Sequence, residues 1–187
     1  MIIIESKRKK LTTLEKNYPG AVIFDVTSHA QDDFIKFSPF YPNGGIPVPG
    51  MEGVYAESVE GIWQGLKVFE KYFTDPEEFK KYGVNLSSFK NTSMKNIKRT
   101  FKKFGRMHGH KMGDEYLPYI RARKEIYVPT YFWMLEHKCL DLIEKLRTLS
   151  NEKTVILLDY DTNPDIDNPS KPLSHASLIK RYIEEHP

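Results

Sequence analysis

The sequence predicts an α+β protein, a helix-rich single domain over residues 1–187 with a small β-sheet. Three observations carry this. Residues 21–26 and 154–160 are short aliphatic runs that read as strands, the second buried on both faces. Apolar residues recur at helical spacing through much of the remainder. The chain has 187 residues, 40% hydrophobic and 13% aromatic, which suffices for one substantial core and is short for two.

Taken in order, Ile2, Ile3 and Ile4 form a short leading strand, and residues 21–26 a second. Residues 37–53 carry four prolines and four glycines, which forbids regular structure. Phe37, Phe40 and Tyr41 favour order in this loop, either as cover for a core edge or as an aromatic wall of a ligand pocket. Residues 56–69 then read as a well-buried helix. Met94, Ile97, Phe101 and Phe104 mark another helix opposite Lys95, Lys98, Arg99, Lys102 and Lys103. A helix is expected from Glu115 to Tyr127 with Pro118 in its first turn. Thr130, after Pro129, is placed to cap a long helix reaching Leu149. The strand at 154–160 and a last helix from Leu173 to Glu185 complete the chain.

Composition narrows the function classes. No apolar run approaches membrane-spanning length, and the basic residues at 7–10 follow the first apolar run, the reverse of a secretory signal. The lone Cys139 excludes an internal disulfide and fits a reducing compartment, so a soluble, cytoplasmic protein is expected. Charge is segregated. Residues 79–113 hold ten basic and no acidic residues, leaving 18 basic against 25 acidic elsewhere. Such a segment can attract phosphate or nucleic acid, or be a solvated face.

One stripe draws most of the chemistry. In a helix over 56–69, Glu60, Gln64 and Lys67 fall on one side at i, i+4 and i+7. A carboxylate beside a desolvated amine is an acid/base or nucleophile pair. Taken alone, such a stripe is more often a superficial ion-pair ladder. His108-Gly109-His110 has no acid or cysteine nearby to complete a metal site and reads as a loop. Residues 159–170 mimic a calcium loop but place Pro164 and Ser170 where glycine and glutamate are needed. Asp159 and Asp161 remain the acids best placed after a buried strand. There is no nucleophile elbow, P-loop or dinucleotide fingerprint, and Ser174 and His175 read as capping and packing residues.

Together these residues resemble the NADAR (YbiA-like) family, over approximately residues 37–165. The matching parts are the loop Phe37-Ser38-Pro39-Phe40-Tyr41-Pro42, the helix Ser58-Val59-Glu60-Gly61 with Gln64 and Lys67 spaced after it, and Lys102-Lys103-Phe104-Gly105-Arg106. Pro39 stands where that family usually has Asn, and Gly61 where it usually has His, which marks a diverged branch. The resemblance implies hydrolysis of an N-glycosidic bond in an ADP-ribosyl or ribosyl-nucleotide substrate, including removal of ADP-ribose from guanine bases of nucleic acid. It turns the helix stripe towards function, with Glu60, Lys67 and Asp159 as catalytic residues. Ser38, Phe40, Tyr41, Trp63, Gln64, Lys102, Lys103, Arg106 and Asp161 become substrate-binding residues. No cofactor, metal or membrane is expected. Two other readings stand beside it: a binder of an ADP-ribose-derived nucleotide that does not cleave it, and nucleic-acid binding through residues 79–113.

Overall fold

A computed structural model describes residues 1–70, 84–94 and 105–186. In chain order its elements are β1 (Ile2–Ser6), α1 (Leu11–Asn17), β2 (Val22–Asp25), a 3-10 turn (Asp33–Phe37), β3 (Ile46–Pro47), β4 (Tyr55–Ala56), α2 (Val59–Gly65) and β5 (Lys67–Phe69). There follow α3 (Leu86–Phe89), β6 (Met107–Met112), β7 (Glu115–Leu117) and α4 (Tyr119–Ala122). A π-turn (Arg123–Tyr127), α5 (Val128–Lys138), α6 (Leu140–Glu152), β8 (Val155–Asp159) and α7 (His175–Glu185) complete them. The α+β class is as expected. The helix expected around Met94, Ile97, Phe101 and Phe104, and with it Lys102 and Lys103, lies almost wholly outside the described residues.

The chain divides into two compact units, Met1–Pro39 with Met134–Pro187, and Phe40–Trp133. The first is built on a parallel sheet of order β1-β8-β2. Its central strand pairs Val155 with both Ile2 and Val22, and all five of its residues are buried. A continuous aliphatic run is what a strand covered on both faces requires. Leu14 of α1 packs with Ile156 and Leu158, with Tyr18 and Ile23 against them. The apolar faces of α6 (Leu142, Ile143, Leu146) and α7 (Leu178, Ile179, Tyr182, Ile183) are buried as well.

In the second unit β5, β6 and β7 form an antiparallel sheet, and β3, inside the Pro/Gly-rich region that was expected to be irregular, pairs with β4 beyond its end. Every residue of α2 except Glu60 is buried.

Four further expectations need correction. Lys67 is not in a helix: α2 ends at Gly65, Leu66 caps it, and Lys67 opens β5, which pairs with His110. The His108-Gly109-His110 run is therefore strand and not loop. Gly109 permits this, because a β-carbon there would lie 2.5 Å from the Leu117 carbonyl oxygen. Residues 115–117 are strand, with Pro118 at the N-cap of α4. Thr130 caps nothing. Pro129, which lacks an N–H and crowds the carbonyl four residues earlier, is accommodated by the π-turn that contains Glu125. The break comes instead at Cys139, whose backbone leaves helical geometry (φ −132°, ψ 17°).

Candidate functional site

The site in the second unit is assembled on α2. Ser58 begins the helix, its hydroxyl accepting a hydrogen bond from the Gly61 N–H. Gln64 Nε2 donates to Glu60 Oε1 at 2.6 Å, and Lys67 Nζ donates to Gln64 Oε1 at 2.9 Å. Carboxylate oxygens only accept and an ammonium only donates, so this line fixes which way the Gln64 amide faces. Acid, amide and amine thus meet as the sequence predicts, although the amine arrives from a strand. Gln64 is buried, while Glu60 and Lys67 are half-buried.

Glu60, Gly61 and Gln64 form one wall of a small recess with a free volume of about 10 Å³, with Ser58 and Phe40. Ser88, Asn91 and Ser93 line it too. The recess has room for about one water, far below the roughly 300–1,000 Å³ of pockets for drug-sized molecules. Lys67 and Trp63 are not part of its lining. Residues 85–93 approach α2 across two glycines. A β-carbon on Gly61 would lie 2.6 Å from the Ser88 carbonyl oxygen, and one on Gly65 would lie 2.3 Å from the Phe89 ring. Asn85 N–H donates to Gly65 O, and Glu57 N–H to Phe89 O, fastening this segment at both ends.

Beyond the recess, Trp63 stacks on His110 with ring centroids 3.8 Å apart and meets Tyr119 and Tyr127 edge-on. The indole is engaged here by protein rings. His110 is fully buried, and neither ring nitrogen has a hydrogen-bond partner among the described residues. Burial, helped by the Lys67 charge, pushes its pKa down to about 3, so the ring is neutral. Arg123, 2% exposed, lies in the π-turn, donates to the Tyr119 hydroxyl and stacks over that ring.

The other described residues of the prediction are not part of the recess lining. Tyr41 is half-buried in the same unit, and Arg106 is exposed, its backbone tied to Glu70. Ser38, Asp159 and Asp161 belong to the first unit. Ser38 is buried and Asp161 half-buried. Asp159 is 4% exposed and heavily bonded. Its Oδ2 accepts from the Ser174 hydroxyl at 2.8 Å and the Ala176 N–H at 3.2 Å, and it pairs with His175 Nδ1 at 3.0 Å. His175 Nε2 sits 2.8 Å from the Val26 carbonyl, which only accepts, so both ring nitrogens carry protons and the pair is charged. Ser174 and His175 do cap and pack, as their sequence context suggests.

The profile of a family described as a family of unknown function (DUF6939) matches residues 6–179. The chain belongs to that family. No curated protein and no solved structure matches it. The DUF6939 match spans every predicted site residue from Ser38 to Asp161, as well as three buried polar side chains that were not among the predicted site residues. Ser88, His110 and Arg123 are polar groups buried by non-local packing, and no local spacing marks them. No group of three or more His, Cys, Asp or Glu residues is arranged to hold a metal ion among the described residues, and no described helix is long and apolar enough to cross a membrane.

Proposed function

We propose that the protein hydrolyses an N-glycosidic bond of a ribosyl or ADP-ribosyl substrate, with the sugar held against Glu60 on α2. The observation that carries this reading is the Glu60–Gln64–Lys67 hydrogen-bonded line, an acid, an amide and an amine held in sequence on and beside α2. The motif resemblance to the NADAR family supports the same chemistry. Breaking a C1–N bond builds positive charge at the anomeric carbon, and a fixed carboxylate stabilises it. Glu60 also takes the proton of the water that adds to C1, while the leaving nitrogen is protonated from solvent. Gln64 holds Glu60, and Lys67 holds Gln64.

The test is turnover of ADP-ribosylated guanosine by E60Q, K67A and K67R. E60Q should lose on the order of 100-fold or more in kcat. K67R keeps a donor for Gln64 and should retain most of the activity that K67A loses. If Lys67 instead attacks C1 through its amine, K67R fails as badly as K67A, and borohydride traps sugar on the wild-type protein. Unchanged turnover in both E60Q and K67A refutes the hydrolase. Binding of ADP-ribose with the nucleotide recovered whole favours the non-catalytic binder, which the glycine at position 61 motivates.

A further inference from the structure

We propose that the outer edge of β1 pairs with the same edge of a second copy of this chain, antiparallel about a two-fold axis at Ile3, so that the two parallel sheets become one continuous sheet. The inference lies within the first unit and is independent of the hydrolase reading. In a parallel pair, alternate residues turn both backbone groups towards the neighbour. The Val155 N–H donates to Met1 O and the Lys7 N–H to Asp159 O, in a register that runs unbroken from Ile2 to Ser6. Ile3 and Glu5 therefore face β8, while Ile2, Ile4 and Ser6 turn their N–H and C=O groups outward. Ser6 O is taken by the Lys9 N–H. The outward groups of Ile2 and Ile4 meet no other strand among the described residues.

Strand edges that stay single are usually defended by a lysine, a proline, a bulge or a covering element. Residues 2–4 are three isoleucines in a regular register, and beside them lies an open groove of about 490 Å³. Leu178, Lys180, Arg181 and Glu184 of α7 line it as well. The charges there select a second copy over an acidic or basic peptide. Lys180 pairs with Glu184, and Arg181 with Glu185, so each cation is answered by an anion of the same helix. Such a flank does not repel its own duplicate and offers a charged peptide nothing to prefer. The backbone pattern is self-complementary too. Pairing Ile2 with Ile4 of the second copy, and Ile4 with Ile2 of the second copy, engages the outward N–H and C=O groups of both residues on both edges. Ile3, half-buried in the single chain, then meets Ile3 of the second copy across the axis, in a non-hydrogen-bonded pair where side chains come closest. Closed two-fold symmetry uses up the edge and stops further growth.

Sedimentation equilibrium of the full chain tests this. Wild type should have twice the monomer mass at about 100 µM, a concentration at which a Kd of about 1 µM leaves most chains paired. I3K and I3E should each have the monomer mass, because like charges then face each other at the axis. An equimolar mixture of I3K and I3E should recover the dimer mass, which general damage to the fold at this position would not produce. Hydrogen exchange on wild type gives a second readout that needs no variant, and it decides the matter if I3K or I3E fails to fold. The outward-facing Ile4 amide should exchange more slowly at about 100 µM than at about 1 µM, while the Glu5 amide, which faces β8, should not change. A wild type that stays monomeric at about 100 µM overturns the proposal. So does a dimer that both I3K and I3E leave intact, or an Ile4 amide whose exchange is independent of concentration.

Discussion

Replacing Asp159 by alanine tests whether that carboxylate acts in structure or in chemistry. It removes one side of an ion pair whose members expose only 5% and 11% of their side chains. It also removes the acceptor of the Ser174 hydroxyl and the Ala176 N–H at the start of α7. Breaking a buried pair from one side costs about 3–5 kcal/mol, because the remaining charge is stranded. For a chain of this length each kcal/mol lowers Tm by roughly 2–4 °C, so D159A should melt about 6–20 °C below wild type. H175A should lose a comparable amount, and D159A/H175A less than the sum of the two, because no charge is then left alone. The pH profile supplies a second readout. Burial alone would lower the His175 pKa, but Asp159, the Val26 carbonyl and the Asp25 charge hold it above its ordinary 6.5. Its contribution is full below pH 6.5 and is lost as pH rises through the raised folded value. Burial would raise the Asp159 pKa, but His175 and the hydrogen bonds from Ser174 and Ala176 hold it below 3.8. Its contribution is present above that pH and is lost as pH falls through the lowered folded value. Asp25, bonded to Lys7, is the other charge facing this cluster. H175A should flatten the alkaline decline seen by thermal melting. A D159A protein that melts within about 2 °C of wild type would refute the account.

Other outcomes follow from packing. G61A should destabilise by about 1–3 kcal/mol despite the better helix propensity of alanine, because the atom it meets is the Ser88 backbone carbonyl at 2.6 Å; urea unfolding measures this. H110F keeps the stack on Trp63 and deletes two unpartnered nitrogens, so it should match or exceed wild-type stability. His110 is neutral when folded and charged at low pH when unfolded, so wild-type stability falls as pH drops below 6.5 towards about 3, and H110F should weaken that dependence. Cys139 is fully buried and its thiol is pushed up to about 12. It should resist a thiol reagent at pH 8 until denaturant is added, and react stoichiometrically afterwards.

Local signals carried part of this structure into the sequence. The strands β1, β2 and β8 are aliphatic runs that read correctly without knowledge of their partners. The contact of Glu60 with Gln64 is equally local. Lys67 shows where local reading stops. Its spacing from Gln64 is helical, yet it joins a strand, because β6 offers it a ladder from forty residues further along the chain, around His110. That partner was itself obscured, since His-Gly-His has no strand signature until the Leu117 carbonyl is seen pressing on Gly109. Pro129 misled in the opposite direction, because a π-turn absorbs a proline that usually ends a helix. Asp159 was legible as an acid after a buried strand, but not as the partner of His175, which lies beyond a loop in α7. Ser88 was invisible because an orphan hydroxyl is a property of packing alone.

The order of the parallel sheet bears on how the protein emerges from the ribosome. Its middle ribbon, β8, is synthesised after the two outer ribbons, which among the described residues pair with it alone. A nascent chain halted before Val155 holds two aliphatic segments with exposed edges and nothing to zip onto, the condition under which strands seek neighbours on other molecules. The contiguous stretch from Phe40 to Trp133 has no such wait. Translation therefore delivers the recess-bearing half first and leaves the other half open until its final residues arrive.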